Sequence, residues 1–264
     1  MKTMKRLFVL LAAVLLSSPR EALAWGRNGH DAVAAIAEWN LTPKAKATVE
    51  SYLGGHSIVY YSSWMDNYRH TPEYKHSSQW HTAPVDDRFY HTAAVAREGG
   101  DAMTALDDIL TILRDYKRHP DDIVSLNIKY LVHLLGDMHC PVHVKYTTIK
   151  TNFSVYINGK KSTYHSVWDG DAVATHKWGY LEWVHQMNRL DKDQIAKVTA
   201  GTHRDWFHEN ALDSRVIYEW ARPDMKLDGN DYKDFINKAA PLAESQIQKA
   251  GYRLARILND CFGQ

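Results

Sequence analysis

Three histidines and an aspartate stand within eleven residues of an otherwise apolar segment, HLLGDMHCPVH, which runs from His133 to His143. The segment is typical of a helix end, so His133 and Asp137, four residues apart, should project from one helical face. Pro141 cannot continue that helix without losing a backbone hydrogen bond, and His143 should therefore approach from a new direction. Imidazole and carboxylate groups gathered in this way are typical of a metal site.

Residues of the same types recur elsewhere in the chain. They are His30 in WGRNGH, Asp66 in SSWMDNYRH, His81 in SQWHTAP, and the pair His165 and Asp169 in YHSVWD. A lone buried histidine is more often a core residue satisfied by one hydrogen bond than a ligand. That alternative weakens here, because three histidines and an aspartate share one short segment. Imidazole and carboxylate without thiolates suit zinc or, less exclusively, manganese or iron.

The elements that must position these residues are mostly helices. Thr42 as a cap, Pro43 at the first helical position and Gly54-Gly55 as a stop predict a helix between them. Apolar periodicity predicts further helical stretches over 29–40, 101–118, 122–139, 191–221 and 232–262. Asn158-Gly159 lies between alternating residues and predicts a small β-hairpin near 153–165. The sequence therefore predicts a mainly α fold with one hairpin.

The 264 residues, 45% hydrophobic and 24% charged, suit one large globular domain. The first 24 residues differ: basic residues precede the apolar run LFVLLAAVLL, and Ala22-Leu23-Ala24 has the form of a signal peptidase site. A transmembrane anchor is the alternative, but ten apolar residues are too few to span a bilayer. We therefore expect residues 1–24 to be a signal peptide. The mature protein would begin at Trp25, be secreted or periplasmic, and have no stable membrane association.

The net charge of the chain is too small to indicate a broad basic surface that would bind nucleic acid. The formal net charge is +1, and the predicted signal peptide carries more basic than acidic residues, so the remainder is slightly acidic. A polyanionic substrate would have to be held locally, for example by metal ions. Only Cys140 and Cys261 occur, and their pairing stays open at this point.

Five motifs together resemble those of the zinc-dependent S1/P1 nuclease family. They are WGRNGH at the predicted mature N-terminus, WMDNYR, WH, HLLGDMHCPVH and HSVWD, in the family's order between residues 25 and 169. The resemblance implies a single helical domain of the phospholipase C/P1 nuclease type over residues 25–264, holding three zinc ions in a cleft. It implies hydrolysis of single-stranded DNA or RNA to 5′-phosphorylated products, and leaves 3′-nucleotidase activity open. The implied partner is a single-stranded nucleic acid or a nucleotide, and we expect a monomer.

Carried over residue by residue, the resemblance divides nine residues among three zinc ions. The first would take Asp66, His81, His133 and Asp137, and the second would take His143, His165 and Asp169. The third would be held by His30, by Asp137 as a bridge, and by the amino nitrogen and carbonyl oxygen of Trp25. Asp66, Asp137 and Arg69 match catalytic positions, with Arg69 on the leaving-group side. The alternative for Arg69 is an ordinary surface arginine beside Tyr68.

Some positions fall outside this pattern. His139 matches no ligand, and we expect it to donate a hydrogen bond that orients a carboxylate. Cys140 stands where many relatives have Gln, and it is either a soft donor or a small buried hydrophobe. Thr82 stands where an aromatic residue often follows the histidine. Two rival functions remain at this stage: a zinc-dependent phospholipase C and a non-catalytic exported zinc-binding protein.

Overall fold

The computed structural model describes residues 25–174 and 176–264, and these are mostly helical. The predicted signal peptide, residues 1–24, lies outside the described residues. The helices are α1 (Gly26–Trp39), α2 (Pro43–Tyr52), α3 (Trp64–Tyr68), α4 (Ala102–Arg114), α5 (Asp121–Asp137), α6 (Tyr164–Ser166), α7 (Ala172–Ala174), α8 (Tyr180–Met187), α9 (Lys192–Val198), α10 (His203–Ser214), α11 (Ile217–Trp220) and α12 (Gly229–Phe262). Short 3-10 turns cover Ile58–Tyr61, Lys75–Gln79, Tyr116–Arg118 and Pro141–His143, and a π-helical turn covers Val167–Asp171. The predicted mainly α fold is confirmed.

The core forms where α1, α5 and α12 pack together. Helix α1 is buried on all sides from Ala32 to Ala37, and it contacts α12, α8 and α5. In α12, a Cβ on Gly251 would lie only 2.5 Å from Cγ2 of Ile36, so the two helix backbones approach closely there. Helix α5 is buried from Tyr130 onwards, so the polar residues His133 and Asp137 at its C-terminal end lie in the interior. None of the described helices combines the length and apolar character that crossing a bilayer requires.

Capping explains where several helices begin. The side chain of Thr42 accepts a hydrogen bond from the Ala45 amide at 3.2 Å, and Pro43 is the first helical residue, as predicted. The stretch 191–221, predicted as helical, divides into α9, α10 and α11. Gly201 has a φ of +85°, outside helical values, and Thr202 forms a capping box with Asp205 that starts α10.

Two small sheets complete the fold of the residues that the structure describes. Strand β1 (Ala83–Val85) pairs in parallel with β2 (Val144–Tyr146), and Ala83 lies opposite Val144. Strands β3 (Ser154–Ile157) and β4 (Lys160–Thr163) form an antiparallel hairpin, and β5 (Lys226–Leu227) adds to β3 in parallel. The hairpin turn has positive φ at both Asn158 (47°) and Gly159 (76°), the conformation that favours Asn-Gly. The predicted hairpin is confirmed.

Candidate metal centre

The eight histidines and aspartates predicted as ligands form one continuous cluster. Each has a side-chain nitrogen or oxygen within 3.8 Å of another member. Seven of the eight are buried, and only His165 is partly open, with its side chain 21% exposed. The pairing of β1 with β2 contributes to this convergence, because β1 starts two residues after His81 and β2 directly follows His143.

Asp137, the last residue of α5, lies at the middle of the cluster. Its Oδ2 is 2.9 Å from Nδ1 of His81 and 3.2 Å from Nε2 of His133. Its Oδ1 is 3.3 Å from Nε2 of His30 and 3.4 Å from Nδ1 of His143. The two oxygens of one carboxylate therefore face two different pairs of imidazoles, which is the geometry of a bridging ligand.

On the Oδ2 side, Asp66 completes a group with His81 and His133. Its Oδ1 is 3.6 Å from Nδ1 of His81 and 3.8 Å from Nε2 of His133. The Nδ1 atom of His133 lies 2.8 Å from the Ser62 carbonyl oxygen and donates to it, which leaves Nε2 free to face the carboxylates. A backbone carbonyl that fixes the tautomer in this way is a usual support for a metal-binding histidine.

A second group lies where the Pro141–His143 turn meets α6. The Nε2 atoms of His143 and His165 are 3.2 Å apart, and Nε2 of His165 is 3.0 Å from Oδ2 of Asp169. Asp169 lies within the π-helical turn, a feature that occurs frequently at functional sites. Cys140 is buried beside it and its thiol donates to Oδ1 of Asp169 at 3.6 Å. Cys140 and Cys261 are both free.

His30 on α1 and Trp25, directly before α1, lie against the end of α5. The indole Nε1 of Trp25 donates to the Gly136 carbonyl at 2.9 Å, and its ring is fully buried. The His30 ring stacks on the His133 ring, with centroids 4.0 Å apart. A Cβ on Gly136 would lie 2.9 Å from Nδ1 of His30, so the close approach of α1 to α5 requires glycine there. Sequence reasoning missed the role of this glycine, although it directly precedes Asp137.

Several buried atoms of the cluster form no hydrogen bond, although some of them lie close to another member in an unfavourable orientation. They are Nδ1 and Nε2 of His30, Oδ1 of Asp66, Nε2 of His81, Oδ1 of Asp137, Nδ1 of His143 and Oδ2 of Asp169. An unsatisfied buried polar atom costs roughly 1 to 3 kcal/mol, so this density of such atoms indicates a missing partner. Bound cations would supply that partner. Three sets of side chains have potential ligand atoms close enough to share an ion: His30, His133 and Asp137; Asp66, His81 and His133; Cys140, His143 and Asp169.

Burial and mutual charge set the protonation of the cluster. Burial lowers the pKa of His81, and lowers that of His143 well below its usual value, so both tend towards the neutral, metal-binding form. Burial raises the pKa of Asp169. Asp137 is also fully buried, but the neighbouring His133, whose own pKa is raised to about 9, outweighs burial and holds the pKa of Asp137 well below its usual range. The central carboxylate is therefore ionised across the physiological range.

Arg69 lies against the cluster, one residue after α3. Its Nη1 is 3.6 Å from Oδ1 of Asp66, and its side chain is only 14% exposed. This contact argues against the interpretation of Arg69 as an ordinary surface arginine.

The expectation for His139 is wrong. This fully buried ring donates from Nδ1 to the Leu135 carbonyl at 2.8 Å, and its Nε2 accepts from Nη1 of Arg253 at 2.9 Å. Burial and the Arg253 charge hold the pKa of His139 well below its usual value. Because Glu209 pairs with the same guanidinium at 2.5 Å, His139 joins α5 to α12 and α10 instead of orienting a site carboxylate.

Comparisons of the sequence with known proteins point to one family. The sequence profile of the family described as S1/P1 Nuclease matches residues 25–263. Nuclease S1 of Aspergillus oryzae is 24% identical over 94% of this chain and 96% of its own length. Nuclease P1 of Penicillium citrinum is 26% identical over 90% of this chain and 98% of its own length. Endonuclease 1 of Arabidopsis thaliana is 24% identical over 97% of this chain and 93% of its own length.

Proposed function

The chain belongs to the S1/P1 nuclease family of phosphodiester hydrolases, and on that premise we propose that it is an exported, zinc-dependent enzyme. Its proposed substrates are single-stranded DNA and RNA, cleaved to 5′-phosphorylated products. The printed names of the relatives, nuclease and endonuclease, support this class of reaction. The signal-peptide pattern in residues 1–24 supports export to the periplasm or the exterior. All site residues come from one chain, so a monomer suffices.

The observation that carries the proposal is the position of Asp137, with each carboxylate oxygen facing a different imidazole pair. We assign three zinc ions. The first would be held by Asp66, His81, His133 and Asp137, the second by His143, His165 and Asp169, and the third by His30, Asp137 and the backbone amino and carbonyl groups of Trp25. Donors of imidazole and carboxylate type suit zinc. When bound, zinc polarises phosphoryl oxygens and activates water near neutral pH.

The protein residues position and neutralise the substrate. Asp137 holds its negative charge in the interior, and its position, with that of the Asp66 carboxylate, fixes where cations can lie. The guanidinium of Arg69, beside Asp66, has donors suited to phosphate oxygens and would stabilise the leaving side. Single strands are favoured because a paired nucleotide must first be unstacked to enter a buried site, at a cost of a few kcal/mol.

The test is a side-by-side assay of the zinc-loaded protein on single-stranded DNA, single-stranded RNA, duplex DNA and phosphatidylcholine. We expect hydrolysis of both single strands, slower hydrolysis of the duplex and none of the lipid, with 5′-phosphate ends on the products. A nucleoside 3′-monophosphate in the same panel decides 3′-nucleotidase activity. Preferential cleavage of phosphatidylcholine would establish the phospholipase alternative. Zinc binding without hydrolysis of any substrate would establish the non-catalytic alternative.

A further inference from the structure

Aromatic side chains cover the surface that adjoins the metal centre on the α3 side. The segment between α2 and the end of α3 contains Tyr60, Tyr61, Trp64 and Tyr68. It also contains Ser62, whose carbonyl holds His133 in the cluster, and Asp66. We call the four rings, together with Lys129 of α5, the aromatic strip. The segment that carries most of the strip therefore also supplies two contacts within the metal centre, one from Ser62 and one from Asp66.

One end of the strip is a stack with an open face. The rings of Trp64 and Tyr68 are nearly parallel, with centroids 4.9 Å apart and 21° between planes. Tyr74 packs edge-on against Trp64 at 4.8 Å, which restrains the stack from the side. Tyr68 is 45% exposed, so a further flat ring can extend the stack. Tyr68 lies between Asp66 and Arg69 in sequence, which places this end nearest the proposed chemistry.

The other end is more exposed still. Tyr60 is 68% exposed and meets Tyr61 edge-on at 4.9 Å. The His56 ring stacks on Tyr60, with centroids 4.4 Å apart and 12° between planes. A single exposed tyrosine is ordinary, but two neighbouring pairs of rings form a surface suited to flat partners.

A cation lies between the two ends. The Nζ of Lys129 is 4.7 Å from the Tyr61 ring centroid and 5.3 Å from that of Trp64. Lys129 precedes His133 by four residues in α5, so the two share a helical face about 6 Å apart along the axis. Among the described residues, no carboxylate forms an ion pair with Lys129. Its charge is therefore available to an incoming anion.

Two pairs of rings with a cation between them complement a single-stranded nucleic acid, whose bases can stack on rings and whose phosphates attract a cation. We propose that the aromatic strip binds the bases of the strand on one side of the cleaved phosphate, with Lys129 contacting its backbone. This inference rests on the proposed function, because it takes the same substrate. It also supplies stacking that Thr82, which lacks an aromatic ring, cannot provide after His81.

The first experiment measures how the effect of ring removal depends on substrate length. Tyr60→Ala and Tyr68→Ala are compared with Tyr180→Ala, which removes a similarly exposed tyrosine (41%) on α8. The substrates are a thymidine dinucleotide and a twelve-residue oligothymidylate. Since base stacking on an aromatic side chain is worth about 1 to 3 kcal/mol, each strip variant should raise KM for the longer substrate roughly fivefold to a hundredfold. The loss should be smaller for the dinucleotide, Tyr68→Phe should restore binding, and Tyr180→Ala should match the parent.

The second experiment measures binding without turnover. A dye-labelled oligothymidylate with a phosphorothioate backbone is titrated with protein at several salt concentrations, and its fluorescence anisotropy is followed. Removing one phosphate contact should reduce the slope of log affinity against log salt by about 0.7 for a single strand. We expect this change for Lys129→Gln. The matched control is Lys117→Gln, which removes a lysine over the Tyr116 ring near the far end of α5.

The outcomes separate this inference from the proposed function. If the parent cleaves no single strand but binds the oligonucleotide with the expected sensitivity to Tyr60, Tyr68 and Lys129, the proposed function fails and the strip stands. Losses that are equal for dinucleotide and twelve-mer would overturn the strip, because they indicate a structural role for the rings. An unchanged KM and salt slope in all three variants would also overturn the proposed role of the strip. That result would leave the proposed hydrolytic function unaffected.

Discussion

At the scale of single residues, Asp137 is the residue on which the centre depends. We expect Asp137→Asn to lower hydrolysis of single-stranded DNA by at least about two orders of magnitude, since the amide nitrogen cannot replace a carboxylate oxygen that faces a cation, and metal-ion catalysis supplies several kcal/mol. Initial rates in zinc-replete buffer measure the effect. The matched control is Asp108→Asn, an exposed residue of α4 that should behave like the parent. Retention of activity within tenfold of the parent by Asp137→Asn would argue decisively against the bridge.

The second group makes a prediction about stoichiometry. His143→Ala, His165→Ala and Asp169→Ala each remove one protein ligand from the same proposed ion, so each should lose about one zinc per molecule. Elemental analysis of the dialysed proteins measures this, with the exposed His185→Ala as the control that keeps full content. Full zinc content in His143→Ala, beside losses in the other two, would show that the ligand set is wrong.

Protonation of the imidazoles gives a pH prediction. Zinc binds neutral histidine, whose pKa in an unstructured peptide is about 6.5, so protons displace the metal and activity falls as pH drops towards and below that value. Burial lowers the pKa of His81 and His143, which moves their protonation to more acidic pH, whereas Asp137 and Asp66 raise the pKa of His133 to about 9 against burial, so zinc must displace a proton from His133. Where one proton competes, tenfold more zinc should shift the acid midpoint down by about one pH unit. If rate measurements show that the midpoint of the activity loss at acid pH does not change with zinc concentration, the titrating group is a protein general base instead of a metal ligand.

Spacing in the sequence predicted that His133 and Asp137 share a helical face, and residue type made the other members candidates. That the scattered candidates meet in one centre was implied by the family resemblance, because spacing alone does not bring distant segments together. The partners of His139 could not be predicted in this way. They are set by Arg253, 114 residues away in α12, and only tertiary packing brings the two together. The stacking of His30 on His133 was inaccessible for the same reason.

At the scale of elements, the periodicity of apolar residues predicted the helices, and Asn158-Gly159 predicted the hairpin. The residues within each of these elements determine its structure, so the local sequence was enough to predict them. The pairing of β1 with β2 joins segments 61 residues apart through strands of three residues, too short for a pattern to reveal. The helix break at Gly201 was not predicted, because apolar residues have helical spacing on both sides of it and Thr202 was not recognised as the cap of a new helix.

Close helix contacts give a paired prediction at this scale. In Gly136→Ala the new methyl group would meet Nδ1 of His30 at 2.9 Å, so we expect loss of the zinc assigned to His30 as well as lower stability. In Gly251→Ala the methyl group meets Ile36 in the α1–α12 contact. This variant should lose roughly 1 to 3 kcal/mol of stability through overpacking but retain full zinc content. Thermal unfolding and elemental analysis measure both effects. Equal zinc content in the two variants would contradict the placement of His30.

At the scale of the whole molecule, the cluster joins elements from most of the chain, from Trp25 before α1 to Asp169 after α6. Buried atoms without hydrogen-bond partners concentrate at this junction. Zinc should bind the folded protein and not the unfolded chain. It should therefore stabilise the whole domain, by an amount that grows with the free zinc concentration.

The predicted maturation step also acts on the whole molecule. The nitrogen of Trp25 is an amide as long as residue 24 precedes it, and an amide lone pair is delocalised and a poor metal donor. Cleavage after Ala24 would free an α-amino group, whose pKa is ordinarily about 7.7 to 8.0, and such an amine can lose its proton to zinc near neutral pH. The indole is separately fixed by packing and by its hydrogen bond to Gly136. Trp25→Tyr with a free terminus should therefore lose stability but keep the third zinc.

The most direct test of the three-zinc centre is native mass spectrometry of the zinc-reconstituted protein in two forms. One form begins at Trp25, and the other carries one extra Met before it. The account predicts three zinc ions in the first form and two in the second, since the extension converts the terminal amine into an amide while leaving every ligand side chain in place. Equal zinc counts in the two forms, or fewer than three in the form that begins at Trp25, would contradict it.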